Sequence, residues 1–405
     1  MSGLDARGAR WRYLLLLALR WLPTGLLIPV TTLLGLDRGL TLVEVGATAA
    51  VQGIVVAVLE LPTGGLADTL GRRPVLVAAG AAGAVSLAVF AVADSVALFA
   101  LAWLLQGVFR ALDSGPLEAW YVDTALAADP DVALERALGT GTAVLGVAIA
   151  GGGLASGLLV AASGDPGLPV LAALAVHLLG VGALALLPEP RRAGGSARAA
   201  VAAVPGVVRD GVRLVARSRA LAGLAGVSLL WGVGMPAFEA LLPVRLAELT
   251  GGPAAGAALL GPATAAAWLV SAAGAAGVAR LSDRIGLVPA AVLGRVLQGV
   301  AVVAMGLLAG PAGALTGYLL VNLVHGAANP LHSALLHGRV DGGHRATLLS
   351  ISSLVFQLGG SLGMLALTAL ASATTTEAAI VAGGLVLAAS APLYLLARPA
   401  PVPVR

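Results

Sequence analysis

The sequence predicts an all-α integral membrane protein with twelve transmembrane helices in two six-helix bundles. Three observations support this fold class. Of the 405 residues, 59% are hydrophobic and only 11% are charged, whereas a soluble protein carries about 25% charged residues. Apolar runs of roughly 20 residues, the length that a helix needs to cross a bilayer, recur along the whole chain. Finally, landmarks of the first half recur in the second half at a nearly constant spacing.

The apolar runs are separated by short polar breaks, and no run shows the period-two alternation that a transmembrane β-barrel needs. We therefore expect every span to be a helix. The twelve predicted spans are 12–35, 42–66, 73–93, 97–123, 135–162, 168–187, 220–246, 253–279, 286–309, 311–337, 345–373 and 376–397.

Arginines between the spans fall mainly on one face of this twelve-span arrangement, and Arg38 and Arg245 are the chief exceptions. Cytoplasmic loops of membrane proteins carry the excess of basic residues. The asymmetry predicts that both termini are cytoplasmic, in the plasma (inner) membrane of a bacterium. The arginines are spread over loops and do not gather on a soluble module, so we expect no nucleic-acid partner.

An internal repeat is indicated by three ordered landmarks. Pro29 recurs as Pro243, Asp68 recurs as Asp283, and the segment Gly115–Leu117 corresponds to residues 329–331, at spacings of 214, 215 and 214 residues. The expected domains are an N-terminal bundle, 1–187, and a C-terminal bundle with a short tail, 220–405. The cytoplasmic linker 188–219 has a pattern suited either to an amphipathic helix on the membrane surface or to a solvated tether.

The segment Gly64–Arg73 reads Gly-Gly-Leu-Ala-Asp-Thr-Leu-Gly-Arg-Arg and lies between the second and third spans. This pattern resembles the signature loop between helices 2 and 3 of the major facilitator superfamily, and 281–286 resembles a weaker second copy. The resemblance covers essentially the whole chain and implies a secondary transporter with its substrate site between two bundles near the bilayer midplane. The loop most resembles that of proton-antiporting drug exporters.

The resemblance also implies a conformational latch on the cytoplasmic side. We use "cytoplasmic latch" for Asp68, Arg72 and Asp123, the acidic and basic positions that the family's motif assigns to this role. Alternatively, the arginines only anchor the loop at the membrane surface. The expected latch region includes the following loop residues and their counterparts in the second half: Gly64, Asp68, Gly71, Arg72, Arg73, Asp123, Asp283 and Arg284.

Ionisable residues inside a span usually face a cavity or a partner. Gln106, Arg110 and Asp113 fall within one narrow arc of the fourth span at 100° per residue. Helices 1, 4, 7 and 10 surround the substrate cavity in the family, so the resemblance makes these residues cavity candidates, together with Arg20 of the first span. The alternative is that Arg110 and Asp113 simply neutralise each other.

Three glutamates, Glu239, Glu118 and Glu60, have no obvious basic neighbour within a helical turn. Burial of such a carboxylate favours its protonated form. We therefore expect one of them to carry a coupled proton, with Glu239 as the first choice.

The tenth span places Asn322, His325, Asn329 and His332 on one face, an arc of about 80°. A polar stripe inside a bundle favours substrate contact or proton relay, and interhelical hydrogen bonding is the alternative. We expect no metal site, because no carboxylate or third histidine shares the stripe.

Together these features predict proton-coupled export of small organic molecules by alternating access, and the alternative is an importer or facilitator of a small polar metabolite. One feature weakens the export interpretation: residues 151–157 are glycine-rich but lack the Gly-Pro typical of proton-antiporting exporters. The motifs of serine hydrolases, zinc proteases and P-loop ATPases are missing, so we expect neither an enzyme nor an ATP-driven pump. We expect no cofactor and a monomer.

Overall fold

The computed structural model describes residues 4–188, 197–339 and 345–397, apart from the side chains of 61–62, 64–69, 186, 197–201, 203–204, 207–208, 210 and 345–347. Every regular element in these ranges is helical. The α-helices are α1 Ala6–Leu27, α2 Thr31–Asp37, α3 Leu42–Leu70, α4 Arg72–Val92, α5 Val96–Asp113, α6 Pro116–Ala128, α7 Leu134–Ser163, α8 Leu168–Ala183, α9 Ala197–Arg217, α10 Arg219–Gly234, α11 Pro236–Glu239, α12 Leu241–Thr250, α13 Pro253–Ile285, α14 Leu287–Leu307, α15 Gly310–His337, α16 Arg345–Ala373 and α17 Thr376–Ala389. Short 3-10 helices, Leu184–Leu186 and Ala391–Ala397, follow α8 and α17.

The lengths and composition of these helices suit a multi-pass membrane protein. Among the described residues, nine helices are long and apolar enough to cross a membrane, and the bent pair of α1 and α2 would bring the number to ten. Helix α8 is apolar but shorter. The all-α membrane fold is confirmed, and these numbers are compatible with twelve spans, whose exact count stays a prediction.

Local sequence explains where several helices begin. Asp5 caps α1 by accepting a hydrogen bond from the backbone N–H of Gly8 at 2.8 Å. Thr41 and Glu44 form a reciprocal capping box at the start of α3, which satisfies backbone donors that a helix N-terminus otherwise leaves unpaired. Ser218 and Thr375 cap α10 and α17 more simply, by accepting hydrogen bonds from the backbone N–H groups of Leu221 and Ala378.

Several of the predicted spans are not single straight helices, and the seventh is divided into α10, α11 and α12. The fourth is divided at Gly115, whose φ of 98° suits only glycine well, and Pro116 then starts α6 because its missing N–H is not needed at the first turn. The first span bends by 41° between α1 and α2, around Pro29. In the second half, the counterpart of Pro116 is Pro330, which stays inside α15, so the landmark at Gly115–Leu117 has a different local structure in each half.

The described residues form two compact units. The first lies within Met1–Val204 and Pro243–Trp268, and the second within Pro205–Leu242 and Leu269–Arg405. Residues 243–268 thus group with the first unit by contact, and the expected bundle boundaries, 1–187 and 220–405, stay a prediction. Of the linker, 189–196 lies outside the described residues, whereas α9 forms a helix.

The same pairing scheme occurs twice. In the first unit, α1 packs on α7 and α8, and α4 packs on α5 and α8; in the second, α10 packs on α16 and α17, and α14 packs on α15 and α17. Each set joins helices of corresponding order in its half of the chain. The internal repeat inferred from three landmarks therefore extends to helix packing.

The two exceptions to the arginine asymmetry have local structural roles. Arg38 donates hydrogen bonds to the carbonyl oxygens of Phe90 and Ala93, both at 2.7 Å, and of Ala91 at 2.8 Å. These carbonyls are at the C-terminal end of α4, where a helix leaves acceptors unpaired and favours a cation. Arg245 forms an ion pair with Glu248 at 3.4 Å.

Candidate functional site

The first unit contains a cavity that is lined mainly by apolar residues and by one ion pair. Arg20 of α1 donates from Nε to Asp113 Oδ2, and the two side chains are only 14% and 17% exposed. Asp113 is the last residue of α5, so the break at Gly115 holds its carboxylate at a helix end. The structure thus brings together two of the predicted cavity residues from separate helices.

Arg20 is held on several sides. Its Nη1 donates to Thr24 Oγ1 at 3.3 Å, and its guanidinium carbon lies 4.2 Å from the ring centroid of Phe109 and 4.8 Å from that of Trp21. Cations are attracted to aromatic faces at such distances. The arginine is therefore fixed in place by groups other than its carboxylate partner.

His177 of α8, which the sequence analysis did not select, lies in the same cavity. Its Nε2 is 2.9 Å from the carbonyl oxygen of Gly80, a distance at which Nε2–H donates, and its ring makes an edge contact with Phe109 at 5.1 Å. The cavity, lined also by Leu117 and Leu184, has a volume of ≈ 40 Å³. That is space for about one to three water molecules, and too little for an organic substrate in this conformation.

The predicted cytoplasmic latch is partly described. Arg72 Nη1 lies 2.6 Å from Asp123 Oδ2, in an ion pair whose angles do not make a hydrogen bond at that nitrogen. Gly71 separates α3 from α4 with φ of 94°. The surroundings of Gly64 and of the Asp68 side chain lie outside what the structure describes. The latch role of these residues therefore stays a prediction.

The segment expected as a charged loop is almost entirely helical. Helix α3 continues through position 68 to Leu70, and Gly71 is the single non-helical residue between α3 and α4. The second copy is built in the same way: Gly286, with φ of 84° and ψ of 156°, follows α13 directly, close to the 94° and 154° of Gly71. Both copies therefore make the same one-residue turn. The predicted latch residues of the second copy, Asp283 and Arg284, are exposed.

None of the three glutamates expected to be buried is fully buried in the structure. Glu118, in the first turn of α6, and Glu239, at the end of α11, are exposed, and Glu60 on α3 is half-buried. The expectation that these glutamates are buried within the protein is therefore wrong for Glu118 and Glu239. Both lie beside helix breaks.

The predicted stripe on α15 divides into two parts. His325 and His332 join a polar cluster in the second unit, as described below. Asn322 instead donates to the carbonyl oxygen of Tyr318 in its own helix at 3.0 Å, and Asn329 is exposed. On α5, Arg110 is exposed and Gln106 is half-buried.

The second unit contains a buried cationic cluster that the sequence analysis missed. Its centre is Arg295 of α14, which is 0% exposed. Arg295 donates from Nη1 to Gln298 Oε1 at 2.7 Å and from Nη2 to the hydroxyl of Tyr394 at 3.4 Å, and its guanidinium carbon lies 4.2 Å from the ring centroid of Trp231. A lone arginine within the apolar run 288–307 was the signal that could have identified it.

Both histidines of α15 attach to this cluster. His325 Nδ1 is 3.1 Å from Gln298 Nε2, and His332 Nδ1 is 3.0 Å from the Tyr394 hydroxyl. A chain of hydrogen bonds continues from His332 Nε2 to Ser228 Oγ at 3.1 Å and on to Ser352 Oγ at 2.9 Å. We call Arg295, Gln298, Tyr394, Trp231 and the two histidines the Arg295 cluster.

Comparison with known proteins agrees with this architecture. A point mutant of the nucleoside transporter NupG superposes with a TM-score of 0.82 at 12% identity, over 96% of this chain and 99% of that chain. The peptide transporter POT in complex with sulfate gives a TM-score of 0.70 at 15% identity over 96% and 95% of the two chains. The human organic anion transporter MFSD10 (TETRAN) gives 0.65 at 20% identity over 96% and 99%.

No curated protein sequence is significantly similar to this chain. The sequence model of the Major Facilitator Superfamily, however, matches residues 13–340, which is well over half of the chain. At 12–20% identity the structural likeness shows the fold alone. Family match, fold and repeated helix pairing lead to one conclusion: the chain is a multi-pass membrane protein that belongs to the Major Facilitator Superfamily, a family of transporters.

Proposed function

We propose that this protein is a secondary active transporter that exports small organic molecules by alternating access, in exchange for protons. The observation that carries the proposal is charge buried inside both units, as the Arg20–Asp113 pair in the first and Arg295 in the second. Ionisable groups in membrane spans are costly and mark substrate or ion pathways. A passive membrane anchor would have no use for them.

Alternating access requires contacts that form in one state and break in another. The cytoplasmic latch suits this role, because Asp123 is 57% exposed and exposed ion pairs contribute only about 0–1 kcal/mol. Such a pair breaks easily during transport. Replacing Asp123 by Asn is therefore expected to slow transport while leaving expression and stability nearly unchanged.

Proton coupling remains assigned to Glu239, Glu118 and Glu60, with Glu239 first. Exposure does not remove them as candidates, since a carboxylate that takes up a proton from one side of the membrane must be reachable by water. Glu239→Gln is expected to abolish pH-driven transport and to leave ligand binding nearly intact. Glu135→Gln, in the exposed first turn of α7, is the matched control, and pH dependence that survives Glu239→Gln would contradict the assignment.

Direction is tested with inverted and right-side-out membrane vesicles. An exporter accumulates its substrate in inverted vesicles when their interior is acidic, because protons then leave as substrate enters. A broad panel of toxic small molecules, scored first by growth protection of an efflux-deficient bacterial host, supplies the substrates, with Asp68→Asn as the loop variant. Accumulation only in right-side-out vesicles would replace export by import or facilitated entry of a small polar metabolite.

We also propose the partners, the oligomeric state and the membrane orientation of the protein. The partners are a small-molecule substrate, protons and lipid, and the unit of function is a monomer. Arginine asymmetry supports an orientation with both termini in the cytoplasm of a bacterium. Protease access to tags at each terminus of the protein in inverted vesicles tests that orientation.

A further inference from the structure

We propose that the Arg295 cluster binds an anionic oxygen group, such as a carboxylate, of the transported molecule. This inference rests on the proposed transport function and names the chemical class of the substrate. It depends on three features of the cluster: an arginine without an acidic partner, a fixed direction of hydrogen bonding, and a surplus of donors.

The charge of Arg295 has no counter-charge in the described part of the chain. Both of its hydrogen-bond acceptors, Gln298 Oε1 and the Tyr394 hydroxyl, belong to neutral side chains. The third contact is the face of Trp231 at 4.2 Å. A fully buried cation with neutral neighbours creates a positive potential around it, because the low dielectric inside the protein screens it poorly.

Arginine also fixes the direction of the hydrogen bonds around it, since a guanidinium can only donate. Gln298 must present Oε1 to Arg295, so its Nε2 donates to His325 Nδ1. A neutral imidazole that accepts at Nδ1 carries its proton on Nε2. His325 therefore offers an Nε2–H donor on the side of its ring away from Gln298.

The second branch has the same direction. The Tyr394 hydroxyl accepts from Arg295 and donates to His332 Nδ1, so His332 carries its proton on Nε2 and donates to Ser228. This branch ends in serine hydroxyls, which accept and donate. His332 is thus satisfied within the protein, whereas the Nε2–H of His325 has no acceptor among the described residues.

Two further donors in the cluster lack acceptors. Arg295 Nε and Trp231 Nε1 are buried and have no hydrogen-bond partner among the described residues. Leaving a buried donor unpaired destabilises the protein. Three donors from Arg295, Trp231 and His325 without one acceptor, beside an uncompensated positive charge, are complementary to an anionic oxygen group.

The surroundings indicate what the anionic group is attached to. The ring centroids of Trp231 and Phe238 lie 5.3 Å and 5.9 Å from that of His325, in edge contacts, and Phe356 contacts Trp231 at 5.6 Å. His325 and Phe356 are half-buried, so they form the accessible edge of the cluster. An acidic group attached to a flat apolar body fits this edge, and a cation is repelled by Arg295.

The test uses three probes of nearly equal shape and different charge: benzoate, benzamide and benzamidine. Binding of radiolabelled benzoate to the purified full-length protein in lipid nanodiscs is measured directly, and the other two serve as competitors. We expect benzoate to bind and to be displaced by unlabelled benzoate, with benzamide and benzamidine at least tenfold weaker. Equal competition by all three would overturn the proposal.

Variants locate the binding. Trp231→Phe removes one donor and keeps a ring, and we expect it to weaken benzoate binding about ten- to a hundredfold, the effect of one hydrogen bond to a charged group. Trp103→Phe, the same change in the first unit, is expected to leave binding unchanged. Equal effects of the two variants would overturn the proposal.

A second pair keeps the test independent of folding. His325→Gln retains a donor near the Nε2 position, whereas His325→Leu removes it. Stronger binding by the glutamine variant, at equal yield of monodisperse protein, is the expected result. Equally weak binding by both variants would place the site elsewhere.

Two further measurements distinguish an inorganic anion from an organic substrate, and failure of this inference from failure of the proposed function. Displacement of benzoate by millimolar chloride or inorganic phosphate, without transport of benzoate in vesicles, would assign the cluster to a small inorganic ion and overturn the substrate class. Transport of neutral or cationic panel compounds without benzoate binding would contradict this inference alone. Failure to transport any compound would contradict the proposed function, whatever the nanodisc binding shows.

Discussion

Replacing Asp113 by Asn tests the ion pair that lines the cavity of the first unit. The substitution removes the negative charge and leaves Arg20 only 14% exposed. Breaking a buried ion pair at one partner lowers stability by about 3–5 kcal/mol. The asparagine carbonyl still accepts from Arg20 Nε, which recovers roughly 1 kcal/mol.

The expected loss is therefore about 2–4 kcal/mol in the free energy of unfolding. The cation–π contacts of Arg20 with Phe109 and Trp21 remain in the variant and do not change this difference. Replacing both partners by apolar residues, Arg20→Met with Asp113→Leu, leaves no uncompensated charge. We expect that double variant to lie within about 1 kcal/mol of the wild type, as other apolar replacements of buried pairs do.

The assay is reversible unfolding in mixed detergent micelles with increasing sodium dodecyl sulfate, followed by far-ultraviolet circular dichroism. Asp131→Asn, an equal change on an exposed loop, is the control and is expected to stay within about 0.5 kcal/mol of the wild type. A loss below about 0.5 kcal/mol for Asp113→Asn, or a double variant as unstable as the single one, would refute the reasoning from burial and charge.

Three further predictions concern glycines and the latch. Gly152→Val would place a Cβ 2.9 Å from Gly25 Cα and Leu26 N in the packed backbone of α1. It should therefore lower the free energy of unfolding by at least about 2 kcal/mol. Gly151→Val, with nothing within 4 Å of its Cβ, is the control and should behave like an ordinary helix substitution in thermal unfolding. Gly286→Ala has room for the added methyl group but requires a φ near 84°, and it should lower the free energy of unfolding by about 1–2 kcal/mol. Gly277→Ala, inside α13, should raise it by up to about 1 kcal/mol. Stability changes of the same sign in the two variants, measured by denaturation, would contradict this prediction. Arg72→Gln should change stability by less than about 1 kcal/mol because Asp123 is exposed, and a larger loss in the same assay would show that the pair stabilises the resting fold.

Predictions from short-range sequence patterns succeeded where one residue decides the local structure. Gly71 and Gly286 are landmarks of the signature loop and of its second copy in the sequence, and each forms a one-residue turn between two helices, because φ values near 90° are accessible mainly to glycine. The extent of the loop was not predictable in this way, since the polar residues before Gly71 continue α3. A charged segment looks like a loop in sequence, but its backbone remains helical if no residue interrupts the hydrogen bonds.

Predictions about side-chain partners were less successful. The sequence offered Arg110, one helical turn away, as an alternative partner of Asp113, and it gave no sign of the ion pair that the structure shows between Asp113 and Arg20, 93 residues earlier. Periodicity describes one helix at a time, so it cannot select between a neighbour on the same helix and one on a packed helix. The burial expected of Glu118 and Glu239 was wrong for a related reason, because the apolar sequence around a residue does not show whether its side chain packs against another helix.

The sequence by itself determined the membrane location, the helical class, the repeat and the family, because these follow from composition, run length and motifs along the chain. The tertiary structure decided which charges meet. Arg295 and Gln298 lie one turn apart on α14, but Tyr394 is 99 residues from Arg295 and the two histidines lie on α15, so only the packing of α14 against α15 and the 3-10 helix Ala391–Ala397 brings the cluster together. A buried arginine acquires its chemical meaning from the neighbours that it has or lacks, and those neighbours are a property of the fold.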